Sequence, residues 1–85
     1  MIVAAYDIRT NIVRRKVADL LIDQGFERVQ KSVFEGAVIP RVQFTSLRRN
    51  IQHLLRKGDT IRYYFLCNAC LIRIETDGYT RHERT

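Results

Sequence analysis

Two amphipathic stripes, each bounded by apolar runs of strand length, leave this 85-residue chain few ways to fold. Val13, Val17, Leu20, Leu21 and Gln24 recur at the spacing that places side chains on one side of a helix. Thr10 or Asn11 is positioned to cap that helix and Gly25 to stop it. Phe44, Leu47, Ile51, Leu54 and Leu55 form the second stripe, which begins near Pro40 and runs to Gly58-Asp59. Ahead of the first helix, Ile2 to Tyr6 reads as a buried central strand. Between the helices, Phe26 to Ile39 is rich in β-branched and aromatic residues and has no helical period. An interruption near Gln30 to Ser32 could divide it into two strands, although no Asn-Gly turn marks the place. Ile61 to Leu66 follows as another strand, and Leu71 to Glu75 as one more.

The order strand, helix, strand, strand, helix, strand predicts an α+β, ferredoxin-like βαββαβ domain with both helices on one sheet face and an additional C-terminal strand. The domain is expected over residues 1–77, with a polar tail over 78–85. A chain of this size buries only roughly 60–65% of its unfolded surface. Association between copies, as a homodimer, is therefore expected. This plan carries many functions, so the chemistry has to be read from side chains.

The net charge of +6 is unevenly distributed. Residues 1–40 hold six Lys/Arg against five Asp/Glu, whereas residues 41–85 hold nine against four. No acid lies between Glu35 and Asp59, an interval that contains Arg41, Arg48, Arg49, Arg56 and Lys57. On a helix, the four arginines and Gln52 gather opposite the apolar stripe. A one-sided cationic face points to a polyanion, nucleic acid before a membrane surface. Met1 leads directly into a strand-like run and no apolar stretch approaches the ~20 residues of a membrane span, so a cytoplasmic protein is expected.

Other candidates are weaker. Cys67-Asn68-Ala69-Cys70 lies between two expected strands, whereas redox pairs of that form begin a helix, and His53 and His82 are poorly placed to complete a zinc site. A metallochaperone on this fold would carry its cysteines after the first strand, where this chain has Asp7-Ile8-Arg9-Thr10. Tyr63-Tyr64-Phe65 invites comparison with RNA-recognition modules, but the basic-Gly-aromatic-Gly-aromatic phrase is absent. Asp7, at the carboxyl end of the first strand, is on its own merits a turn-forming aspartate. Arg15 and Lys16 have Asp19 within one helical turn, whereas Arg14 flanks the apolar stripe without an acid and is the better phosphate ligand.

Tyr6-Asp7, followed after the first helix by Phe26-Glu27-Arg28-Val29-Gln30-Lys31-Ser32-Val33-Phe34-Glu35-Gly36, resembles the CRISPR-associated Cas-two family. Members end their first strand in Tyr-Asp and carry a Gln-x-Ser-Val-Phe-x-Gly signature. The likeness covers the whole chain, more weakly after Pro40. It implies a role in spacer acquisition, as a homodimer that bridges the Cas-one integrase and protospacer DNA, with Mg²⁺- or Mn²⁺-dependent cleavage of RNA or DNA. It also implies that Asp7 is the metal ligand and catalytic residue, paired with its counterpart across the dimer axis. Tyr6, Arg14, Arg28 and Phe34 would stand at the site, and Lys16 takes the place of a second family arginine. Arg14, Lys16, Arg41, Arg48, Arg49 and Arg56 are the expected nucleic-acid contacts. Ser32 matches the signature serine and is read as structural or phosphate-positioning. The cysteine pair fits a local structural role, and the tail could pair with the other subunit. The alternative is a non-catalytic nucleic-acid-binding or toxin-type small nuclease module on the same fold.

Overall fold

A computed structural model describes residues 1–66, together with Glu75 and Asp77. The elements run β1 (Ile2–Asp7), α1 (Asn11–Asp23), β2 (Glu27–Gln30), β3 (Val33–Gly36), α2 (Arg41–Leu54) and β4 (Thr60–Phe65). They form a four-stranded sheet in the order β2-β3-β1-β4, antiparallel at every junction. This is the expected ferredoxin-like plan, with β1 central. The cysteine pair, the tail and all of the expected fifth strand but Glu75 lie outside the described residues. No helix among the described residues is long and apolar enough to cross a membrane.

Alternation along β1 divides the sheet into two unlike faces. Ile2, Ala4 and Tyr6 are buried, while Val3 and Ala5 are half-buried and Asp7 is exposed. Cross-strand register puts Phe34 and Tyr63 opposite Ala4, and Ile61 opposite Tyr6, so these share the buried face. The helices cover that face with Val13, Val17, Ala18 and Leu21 from α1 and Leu47 and Ile51 from α2. Phe34, Ile2, Leu21, Ile51 and Val17 are fully enclosed, each stabilising the fold by about 1.5–3 kcal/mol through removal from water. The other face carries Val3, Ala5, Val33, Glu35, Arg62, Tyr64, Thr60 and Asp7, and no described element covers it.

The turns explain where elements stop. Beyond α1, the Gly25 N–H donates to Ile22 O (2.9 Å) and the Phe26 N–H to Leu21 O (3.0 Å). These two bonds make a Schellman closure, and Gly25 takes the left-handed backbone it needs, at φ +91°. Thr10 occupies the N-cap position with extended backbone, but its hydroxyl makes no capping bond. Lys31-Ser32 turns the chain between β2 and β3, next to an irregularity in register at Arg28/Gln30.

Two boundaries differ from expectation. β3 ends at Gly36 rather than near Ile39, because its pairing with β1 runs only as far as Ile2 opposite Gly36. Gly36 is also a point of close approach: a Cβ there would stand 2.8 Å from the Phe26 ring. α2 stops at Leu54, four residues before Gly58, because Leu55 takes extended backbone (φ −69°, ψ 143°) while both leucines still pack on the core.

Candidate active site and basic surface

Asp7 is the last residue of the central strand, and its exposed side chain belongs to the uncovered face. The loop that follows is held mainly by side chains. Arg14, in the first turns of α1, donates from Nη1 to the carbonyls of Ile8 (2.8 Å) and Arg9 (3.2 Å), and from Nη2 to Asn11 Oδ1. The residue expected to meet phosphate is thus half-buried and already engaged with the backbone beside Asp7. From the other side, the Arg9 N–H donates to Asp59 Oδ1 (3.1 Å).

Tyr6, Arg14, Arg28 and Phe34 gather on the opposite face of the sheet from Asp7. Tyr6 is 7% exposed, and burial pushes its phenol above the ordinary value against the opposing charges of Arg28 and Arg14. Its ring lies 6.0 Å from that of Phe34, and the Arg28 guanidinium sits 5.0 Å over the Phe34 ring. Phe34 is 0% exposed, part of the core and a platform for Arg28. Ser32 reaches this corner through its backbone, accepting from the Tyr6 N–H at 3.0 Å. Lys16 stands exposed on α1.

Within one chain the metal-ligating chemistry is sparse. No three His, Cys, Asp or Glu side chains converge among the described residues. A single exposed carboxylate fits a largely hydrated Mg²⁺ or Mn²⁺, which takes one or two protein carboxylates and keeps several waters; it does not fit an all-protein cage. Thr60 is the residue opposite Asp7 in the β1–β4 ladder and shares its face.

The cationic surface is a second, separate feature. Arg41, Arg48 and Arg49 line a groove of about 680 Å³ with Gln52, Thr45, Phe44, Val38, Ile39 and Phe65. Phe44 packs edge-on against Tyr63 (5.1 Å) and Phe65 (5.3 Å), leaving Phe65 60% exposed. The Arg48 guanidinium lies 5.5 Å from the Tyr63 ring, whose phenol burial pushes up to about 12 although the Arg48 charge opposes this. Arg56 does not join this row. Because α2 ends early, Arg56 lies in the turn before β4, where its N–H donates to Asp59 Oδ2 (2.9 Å).

Sequence reasoning missed Asp59 and the aromatic floor of the groove. Gly58-Asp59 carried a signal, but only as a helix stop. Tyr63-Tyr64-Phe65 carried one too, but only as a comparison with RNA-recognition modules.

The family model for CRISPR associated protein Cas2 matches residues 1–74. A CRISPR-associated endoribonuclease Cas2 of a Synechocystis species is 35% identical over 77 residues, covering 89% of this chain and 82% of that protein. One from Pyrobaculum aerophilum is 54% identical over a shorter 39 residues, 46% of this chain and 43% of that protein. In three dimensions, Streptococcus pyogenes Cas2 superposes with a TM-score of 0.79 at 33% identity, covering 91% of this chain and 98% of that one. With matching family model, relatives and fold, this chain belongs to the Cas2 family of CRISPR-associated proteins.

Proposed function

We propose that this chain works in CRISPR adaptation as a homodimer that binds nucleic acid, bridges the Cas-one integrase and protospacer DNA, and cleaves phosphodiesters with Mg²⁺ or Mn²⁺ at Asp7. One observation carries the reading: Asp7 leaves the central strand on the sheet face that no described element covers. A second copy packed on that face would bury Val3, Ala5 and Val33 and bring two carboxylates within reach of one cation. Relatives named as endoribonucleases support nuclease chemistry. A bound divalent cation would offset phosphate charge and lower the pKa of a coordinated water. The chain's own contribution is to hold the carboxylate at a fixed strand end and to place cations about the nucleic acid. Arg41, Arg48 and Arg49 are the proposed backbone contacts, with Lys16 on the first helix, and Arg14 and Arg28 act close to the strand end.

A non-catalytic scaffold is the second reading, favoured by the absence of a multi-residue metal cluster among the described residues. Cleavage assays with and without EDTA, on wild type and Asp7→Asn, over single- and double-stranded RNA and DNA, decide between them. The catalytic reading expects cleavage that EDTA abolishes and Asp7→Asn reduces by at least about 100-fold, with binding retained. Cleavage that survives in a homogeneous Asp7→Asn preparation removes Asp7 as the ligand. Binding without cleavage by the wild type leaves the scaffold.

A further inference from the structure

The backbone leaving the proposed Asp7 centre is gripped by two side chains, one from the helix that follows and one from a turn far along the chain. Arg14 takes the carbonyls of Ile8 and Arg9. The carboxylate of Asp59, fifty residues further along, takes the Arg9 N–H on Oδ1 and the Arg56 N–H on Oδ2. Asp59 is itself fixed, because its own N–H donates to Arg56 O at 2.9 Å and closes the turn over residues 56–59. Gly58 makes that turn possible with its left-handed backbone at φ +91°. The Arg9 side chain lies against the same turn: a Cβ on Gly58 would stand 3.4 Å from the Arg9 Cζ. The ladder then continues immediately, with Thr60 opposite Asp7.

We propose that Asp59 is a positioning residue for the Asp7 centre, a latch that locks the β1–α1 loop to the α2–β4 turn. The proposal rests on the reading of Asp7 as the metal-ligating carboxylate. Its physical basis is the short lever between the two residues. Asp7 ends its strand, so the direction of its side chain depends on the three residues after it as well as on the ladder before it. A shared site tolerates errors of only about 0.5 Å in ligand placement, and each copy contributes a single carboxylate. Arg14 holds only the acceptors of the loop. Asp59 holds the donor, so losing it frees the Arg9 N–H and lets the loop pivot about the Arg14 contacts. The fold retains its core, since the buried cluster contains neither Asp59 nor Arg9.

The experiment compares wild type, Asp59→Ala and Asp59→Asn in three measurements. Hydrogen exchange of the Arg9 amide reports the latch itself. Mn²⁺ titration followed by paramagnetic broadening of the Asp7, Ile8 and Arg9 amides reports metal affinity. Cleavage kinetics report the centre. Asp59→Ala is expected to remove protection from the Arg9 amide, weaken Mn²⁺ by about 5-fold and lower kcat by about 10-fold with KM within about 2-fold, and Asp59→Asn is expected to fall between. An Asp59→Ala protein that loses Arg9 protection but keeps wild-type Mn²⁺ affinity and kcat overturns the proposal while leaving Asp7 in place. Undiminished Arg9 protection in that variant overturns it as well. A wild type that neither responds to Mn²⁺ at Asp7 nor cleaves removes the metal-centre reading, and with it the centre that Asp59 would position.

Discussion

At the scale of single residues, the signature motif combines two kinds of constraint. Tyr6 and Asp7 are adjacent in sequence but point to opposite faces of β1, one into the core and one into the open. Phe34 belongs with Tyr6, fully enclosed beneath Arg28. If Phe34 acts only through packing, Phe34→Leu lowers the melting temperature, at a cost of about 1–2 kcal/mol, and leaves kcat within about 2-fold. A large loss of kcat in a stably folded Phe34→Leu protein contradicts that role. Asp59 yields a pH prediction. Its carboxyl sits below the usual range because the backbone N–H groups of Arg56 and then Arg9 favour the charged form. The stability it supplies is complete above the unfolded value of about 3.9 and is lost as pH falls through the lower folded value. Asp59→Asn should therefore shrink the loss of stability below about pH 4 in denaturant titrations, and an acid limb of unchanged depth would contradict the latch.

Elements were legible wherever a period or a punctuating residue spoke for them. The stripe through Val13, Val17 and Leu21 located α1, and Gly25 located its end through the Schellman bonds. The ends of β3 and α2 were not legible, for different reasons. β3 stops where its pairing with β1 ends, which is a fact about Ile2 and not about Ala37 to Ile39. α2 stops because Leu55 turns extended while its side chain still reaches the core, and an apolar stripe cannot distinguish that from one more helical turn. The early stop has a functional consequence, since it removes Arg56 from the cationic row and gives its N–H to Asp59. The row that remains is Arg41, Arg48 and Arg49 beside Phe44 and Phe65. Replacing those three arginines with glutamine should flatten the dependence of log affinity on log salt by roughly 0.7–0.9 for each phosphate no longer neutralised, without changing sequence preference. An unaltered slope would place the nucleic acid elsewhere.

At the scale of the whole molecule, the described residues form a two-layer structure with both helices on one side of the sheet. Its sheet leaves Val3, Ala5 and Val33 half-buried among Glu35, Arg62, Tyr64 and Asp7. Such a face suits a second copy, since two chains together bury apolar surface that one chain of this length leaves wet. The sequence indicated the fold and the position of Asp7, but which way Asp7 faces emerged only from strand register. The groove and the latch bring together residues far apart in the chain, which no local motif records. The proposed chemistry depends on two Asp7 carboxylates sharing one divalent cation. Mn²⁺ titration of the purified protein, with sedimentation on the same sample, decides this: one Mn²⁺ per two chains in a dimer is expected, and none in Asp7→Asn. One Mn²⁺ per chain, or uptake unchanged by Asp7→Asn, would contradict it.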